Sequence, residues 1–490
     1  MATAERLSSP SCDSLGSKVV FSSTKYNAET NENSQSTYLL NLSSNQVSLI
    51  GKDWSSPLFL GTRFIAHLSS ESGSSQVWIH DLTNSKCTKL TDYPVGVANL
   101  AYKNGLLVFT AQVFNDGSLE KAAKLNELEE NRFDTGVVYD SLFVRHWDTY
   151  LHPEKKHNLF TVKLDVKADY VSLASDPINV MANLSLETPV APHGDPSHFD
   201  ISPDSKHVIF SSRVPGHDAA WNTNLDIYLA PSDGSSSPQS FSKFNKGADS
   251  HPKFSPDSKF IAWLQMQTPQ LESDTNRIVV YDVYKKTHKV ITSNWDRSPD
   301  SLTWLDNDTL IATAQDQGHA KIFQIIVSTG IFKVLVDKHG NSAVSVTPSG
   351  QLLFLQNSHT RPSDIWTFDI SSNQLNQRTF FNEFKEIQMS APSEFWFAGH
   401  NDEQVMGWVF PPLDTTRPAP LAFLIHGGPE GAWNDDWSYR WNPQSFVGAG
   451  YAVVVVNFHG SIGYGDAFTK SILGNWGGAP YEGNEFKFTL

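Results

Sequence analysis

Between Leu421 and Trp437 the chain reads LAFLIHGGPEGAWNDDW. A His-Gly-Gly-Pro run behind an apolar stretch suits one kind of chemistry. Glycines carry no side chain, so main-chain N–H groups of the loop His426, Gly427, Gly428 can approach a developing oxyanion, and each such donor contributes on the order of 3 kcal/mol to its stabilisation. About thirty residues further on, Asn457 opens the pattern N-x-x-G-S-x-G-Y-G. Acyl-transfer chemistry also needs a nucleophile, placed in serine hydrolases on a strained G-x-S-x-G elbow and followed in chain order by an acid and a histidine. No G-x-S-x-G occurs among the 490 residues. Gly460-Ser461-Ile462-Gly463 lacks the first spacer and belongs to an earlier loop, so Ser461 is not expected to act as nucleophile and no catalytic triad is assigned.

Strands must present these loops. Leu421 to Ile425 is a continuous apolar run, the mark of a strand covered on both faces of an α/β sheet, and GYAVVVVNFHGSIGYGDAF repeats the design. Two buried strands, each ending in a Gly-rich loop, fit the N-terminal part of an α/β-hydrolase domain, here assigned to 389–490. The closing stretch GNEFKFTL, Gly483 to Leu490, is short, polar and without helical periodicity where a helix and then an elbow strand are expected. The sequence therefore reads as a C-terminally truncated hydrolase domain. Without the elbow strand, the outer edge of LAFLI is expected to be unpaired and the segment 390–490 marginal by itself.

The preceding residues repeat. SPDSKHVIFSS from Ser202 and SPDSKFIAWLQ from Ser255 are nearly one phrase, a polar turn running into a strand. Looser copies turn at Gly16, Gly61, Gly105, Asp308 and Gly350, and with Ser205 and Ser258 the successive spacings are 45, 44, 100, 53, 50 and 42. All but one match the period of a four-stranded propeller blade. A second alternating phrase, seen in QVWIHDL, LDIYLAP, RIVVYDV, KIFQIIV and DIWTFDI, supplies a further strand per period. Residues 1–388 are thus read as a seven-bladed β-propeller. The long interval holds an insertion from about Asp116 to Leu164: GSLEKAAKLNELEEN suits an exposed helix starting near Ser118, and VVYDSLFVRHWDTY returns to strand. Its cluster Arg145, His146, Trp147, Asp148 is a candidate binding surface, set against an Arg–Asp pair with the Trp packed between blades.

Bulk properties narrow the classes. Lys and Arg total 37 against 52 Asp and Glu, a net charge of −15 spread along the chain, which disfavours nucleic acid and anionic membrane as partners. No apolar run approaches a membrane span, and the first residues show no signal peptide, so the chain as written reads as cytoplasmic, or secreted if the true N-terminus is missing. Cys12 and Cys87, the only cysteines, give neither a disulfide framework nor metal-ligand spacing. No metal or cofactor is expected.

Together the repeat, YDSLFVRHWDTY, HGGPEGAWNDDWSYRWNPQSFVGAGYAVVVVNFHGSIGYG and GNWGGAPYE resemble the prolyl oligopeptidase family of serine peptidases, within it the fungal dipeptidyl-peptidase V type and the acylaminoacyl-peptidase branch. The resemblance covers essentially the whole chain. It implies a propeller capping a hydrolase domain, peptide substrates reaching a cavity between them, and release of dipeptides from free N-termini or of acylated residues from blocked ones. It matches His426, Gly427 and Gly428 to the family's oxyanion loop, with His426 either helping as a donor or lining the pocket. His400, His426 and His459 all precede the place of an elbow, so none fills the last triad position. Because a desolvated α-ammonium needs a carboxylate, Glu129, Glu130 and Asp148 are candidate anchors by location, the two glutamates also fitting a solvated helix end. A propeller that binds peptides without chemistry is the alternative.

Overall fold

A computed structural model describes residues 3–140, 142–216 and 218–484. The repeat phrase becomes one strand position. The turns at Gly16, Gly61, Gly105, Ser205, Ser258 and Gly350 all place that residue at positive φ, between 59° and 87°, and each feeds the second strand of a sheet. Those strands include Leu106–Val113, His207–Arg213 and Phe260–Gln265, which are buried almost end to end. Asp308 is the exception, turning without positive φ. The alternating phrase becomes the third strand, as in Gln76–Asp81 and Arg277–Asp282.

Strands pair in chain order, so each repeat is an antiparallel meander. The first two sheets each hold four strands, the third holds five, and two more sheets hold four. The last is eight-stranded, built of two meanders whose strands are joined by the parallel pair Ala320 and Gly340. Packing runs between consecutive sheets: Phe64 and Ala66 of one meet Leu107, Phe109 and Phe160 of the next, and Leu264 meets Leu302 and Ala312. This face-to-face stacking of small twisted sheets is a propeller. First and last sheets exchange no strand. Side chains join them instead: the Glu5 N–H donates to Asn382 Oδ1 at 3.0 Å, Asn382 Nδ2 donates back to the Glu5 carbonyl at 2.9 Å, and Arg378 reaches the Leu42 carbonyl.

The insertion interrupts the third sheet between its second strand and its third, Lys156–Val166. Its last residues therefore belong to the sheet, where the sequence placed them in the insertion, because Leu159, Phe160 and Val162 are core. Helix Leu119–Glu130 starts as expected, with Ser118 Oγ accepting the Lys121 N–H at 3.2 Å. VVYDSLFVRHWDTY does not return to strand as a whole. Only Arg145–His146 and Thr149–Tyr150 pair, and Val138 and Leu142 are exposed because no neighbour covers that stretch; Ser141 lies outside the described residues.

Past the propeller, strands Ser393–Ala398, Gln404–Phe410, Ala452–Asn457 and Leu421–Leu424 form one sheet, in that spatial order. The run Val453–Val456 is buried, as its apolar sequence requires. LAFLI is not: it is the edge strand, parallel to Ala452–Asn457, with Leu421 45% and Ile425 60% exposed. The unpaired outer edge is as expected, while the expectation of burial on both faces is corrected. Helix Ala479–Asn484 takes in the first two residues of the tail read as non-helical, while 485–490 lie outside the described residues. Among the described residues no helix is long and apolar enough to cross a membrane.

Candidate active site

Strand direction decides which loops can meet. The repeat turns join first to second strands at one end of the propeller. Connections from second to third strands, and from each sheet to the next, emerge at the other end, and the insertion is one of them. The C-terminal domain sits on that end. Gln317 N–H donates to the Gly463 carbonyl at 3.1 Å, the Asp466 N–H to Asp296 Oδ1 at 2.9 Å, and Lys470 Nζ lies 2.6 Å from Asp274 and 2.9 Å from Asp466.

Between them lies a cavity of about 1280 Å³. Arg145, His146 and Trp147 of the insertion reach it, together with Arg213, Glu272 and Arg297 of other connections. From the C-terminal domain come Glu430, two residues beyond Gly428, and Ile462, Gly463 and Gly465 of the second Gly-rich loop. Both loops that the motifs single out thus face the insertion cluster. Trp147 is 76% exposed, so it is not packed between blades; Arg145 lies over the Tyr150 ring at 5.8 Å.

The HGGP loop is shaped for main-chain donors. Gly428 has φ 135°, and a Cβ there would stand 2.5 Å from the Glu430 nitrogen, so no side chain fits. Gly427 is exposed, with nothing within 4 Å of where its Cβ would be, which leaves one side of the loop open to a ligand. The His426 ring stacks on Phe458 at 4.3 Å, and both its nitrogens are engaged: Nδ1 is 2.8 Å from the Gly427 carbonyl and Nε2 is 3.0 Å from Ser461 Oγ. Ser461 is fully buried, and its hydroxyl donates to the Phe458 carbonyl at 2.6 Å. A carbonyl only accepts, so Nδ1 carries the proton of the neutral ring and Nε2 is an acceptor; the single hydroxyl proton of Ser461 is divided between Nε2 and the Phe458 carbonyl. Burial lowers the His426 pKa. The serine–histidine contact is therefore a bond inside the fold, with the hydroxyl buried and held by the Phe458 carbonyl rather than presented as an exposed nucleophile.

The acidic candidates are not brought together. Glu129 is bound by Lys155 and accepts from His152 Nε2 at 3.1 Å, Glu130 is exposed on the helix end, and Asp148 is exposed beside Thr149; none lines the cavity. Sequence reasoning missed Glu272, which lines it and lies 3.7 Å from His146, and Arg213, whose guanidinium stands 4.4 Å over the Phe143 ring. Burial lowers the Arg213 pKa, opposed by the charges of Glu187 and Glu272. The available signal was position: Arg213 ends the SPDSKHVIFSSR phrase, and Glu272 lies in the connection leaving the next one, both at the end of the propeller that faces the C-terminal domain. Burial pushes the Cys12 and Cys87 thiols up to about 12 and about 11, so neither is a reactive thiolate. Among the described residues no group of His, Cys, Asp and Glu could hold a metal ion.

Comparison with known proteins places this geometry. The description "Prolyl oligopeptidase family" matches residues 437–483. The chain is 36% identical over 501 residues to a probable dipeptidyl-peptidase 5 of Emericella nidulans, covering 95% of this chain and 68% of the relative. It is 31% identical to dipeptidyl-peptidase 5 of Schizosaccharomyces pombe, covering 98% and 70%. Among solved structures, an acylaminoacyl peptidase in complex with Z-Gly-Gly-Phe-chloromethyl ketone superimposes with a TM-score of 0.76 at 18% identity, over 98% of this chain and 70% of that one. The β-propeller domain of the Trilobed protease from Pyrococcus furiosus, described as having an open velcro topology, matches 78% of this chain and 99% of its own with a TM-score of 0.53 at 15% identity.

Proposed function

The chain belongs to the prolyl oligopeptidase family of serine peptidases, and from that premise we propose that it is built as an N-terminal exopeptidase of the dipeptidyl-peptidase 5 type. One observation carries the proposal: the cavity is walled on one side by the propeller insertion and on the other by the two Gly-rich loops of the hydrolase domain. A peptide entering there meets the HGGP loop, where main-chain N–H groups of Gly427 and Gly428 are the proposed oxyanion donors and His426 supports the loop. Arg145 and Trp147 flank the substrate. Of the carboxylates, Glu272 is the proposed partner of the α-ammonium in place of Glu129, Glu130 and Asp148, because unlike them it lines the cavity, on the propeller side, where Asp274 and Asp296 are engaged by Lys470 and by the Asp466 N–H.

The proposal includes a division at 388/389 and a count of seven blades, the eight-stranded sheet contributing two. These 490 residues supply the oxyanion side of the site, with Ser461 committed to Phe458 and His426. Turnover by these residues alone is not expected, and peptide binding without chemistry is what they can do unaided.

The test is made on the product of the complete reading frame with free and N-acetylated dipeptide anilides. Release from the free dipeptide, with little from the acetylated one, is expected, and Glu272→Gln should raise KM for the free substrate at least about ten-fold, the loss of a charge-assisted contact. Preference for the acetylated anilide would replace this reading by an acylaminoacyl peptidase. Hydrolysis of neither would leave the propeller as a binding module.

A further inference from the structure

The loop that follows the oxyanion glycines does not end within its own domain. From Gly431 to Trp437 it is tied residue by residue. The Gly431 carbonyl accepts the Ile462 N–H at 3.1 Å, and the Trp433 N–H donates to Asn457 Oδ1 at 2.6 Å. The Trp433 carbonyl accepts Trp408 Nε1 at 2.9 Å and Asn457 Nδ2 at 3.0 Å. These ties stay inside the hydrolase sheet. At Asp435 the partners change to the propeller: the Asp435 N–H donates to the Gly318 carbonyl at 2.7 Å, Oδ1 accepts the His359 N–H at 2.9 Å, and Oδ2 lies 2.6 Å from His339 Nδ1. Trp437 N–H then donates to Asn357 Oδ1 at 2.9 Å.

We propose that Asp435 is a positioning residue, the point at which the propeller holds the HGGP loop, so that docking of the two domains fixes the main-chain N–H groups of Gly427 and Gly428. Asp435 is nearly buried; its N–H bonds to Gly318 and its carboxylate to His339 and His359, so it touches two successive propeller meanders and the connection between them. It therefore registers whether both are seated. The role as oxyanion donors rests on the function proposed above, whereas the mechanical coupling of Asp435 to the loop is independent of it.

The surroundings make the tie sensitive to acid. Asp435 faces His319 at 3.8 Å, His339 and His359, with Arg361 and Asp436 nearby; His319 also faces Glu394 at 3.3 Å, and Lys338 lies 3.7 Å from the same carboxylate. Burial pushes the Asp435 pKa up, but the His339 bond and the charge of His359 outweigh it and leave it below its usual value. Burial lowers His359 to about 4 and lowers His319, against the pull of Asp435. Burial thus disfavours the charged form of both histidines in the folded junction. What this contributes to the junction's stability is present above about 6.5 and is lost as pH falls below it, for His359 toward about 4.

Hydrogen exchange of this same chain, followed by mass spectrometry and corrected for intrinsic rates, tests the coupling. Asp435→Ala is expected to speed exchange in the peptide spanning 426–434 by about ten-fold or more while the amides of Val453–Val456 and of the inner strand Leu106–Val113 keep their rates. Asp435→Asn, which preserves shape, should give a smaller change of the same kind. In the native chain, lowering the pH from 7 to 5 should loosen 426–434 selectively. Unchanged exchange in 426–434, or a uniform rise along the chain, would overturn the proposal without touching the peptidase reading.

Discussion

Replacement of Asp249 by alanine is expected to lower the stability of the propeller by about 3 to 5 kcal/mol, read as the midpoint of denaturant unfolding at neutral pH. Asp249 is fully buried, and its carboxylate accepts Trp263 Nε1 at 2.7 Å, Gln265 Nε2 at 2.9 Å and Asn245 Nδ2 at 3.1 Å. Alanine leaves all three donors facing an apolar interior, and Trp263, itself fully buried, has nowhere to turn. Asp364 plays the same part in the last meander, taking Thr379 Oγ1 at 2.6 Å and the Phe381 N–H at 3.1 Å. Burial raises both carboxyls to about 6, the hydrogen bonds opposing it. Over the interval from about 4 to 6 the folded chain binds more protons at these sites than the unfolded one. Their contribution is therefore full below the unfolded value and lost as pH rises through about 6. The advantage of the native chain over Asp249→Asn should accordingly grow as pH is lowered from 7 to 4.

The second large effect belongs to Trp408. Its indole, 4% exposed, donates to the Trp433 carbonyl and meets the rings of His359 at 4.9 Å and His319 at 5.7 Å. Gly318, at φ 77°, brings the propeller close enough that a Cβ there would lie 3.0 Å from the indole. Trp408→Ala removes about 3 to 5 kcal/mol of packing, shared between the propeller contact and the C-terminal sheet, where Trp408 clusters with Met406, Phe410, Val447, Val453 and Val455. The sheet it loosens has Leu421–Leu424 as an exposed apolar edge. Thermal unfolding of the variant should therefore split, with the C-terminal sheet melting first, and limited proteolysis should cut between 411 and 431. A single transition displaced as a whole would show that Trp408 stabilises one common core instead.

Much of this was legible in the sequence because repetition multiplies weak signals. One SPDSK phrase is only a turn, but copies at near-constant spacing specify a stack of sheets, and the phrase and its alternating partner fall on the second and third strands. HGGP was legible because the backbone there needs glycine at 428. What stayed hidden depends on three-dimensional neighbours. LAFLI is the unpaired edge expected without an elbow strand, but its apolar run overstates its burial, because apolarity does not record which neighbours cover a strand. Glu129 and Glu130 attract attention as a charged helix end, yet Lys155 and His152 hold the first and solvent the second, while Glu272 sits in an unremarkable connection that topology brings to the cavity. The interdomain tie at Asp435 was invisible for the same reason: its partners Gly318, His339 and His359 come from separate propeller connections and converge only after folding.

The central proposal is that the HGGP loop of these residues is an oxyanion loop and that the buried Ser461 beside it is not its nucleophile. A fluorophosphonate probe tests it directly on the chain and on Ser461→Ala. No stoichiometric labelling of either protein is expected, because Ser461 Oγ is buried and bonded to Phe458 and His426. Stoichiometric labelling abolished by Ser461→Ala, or by substitution of any other single serine, would contradict it.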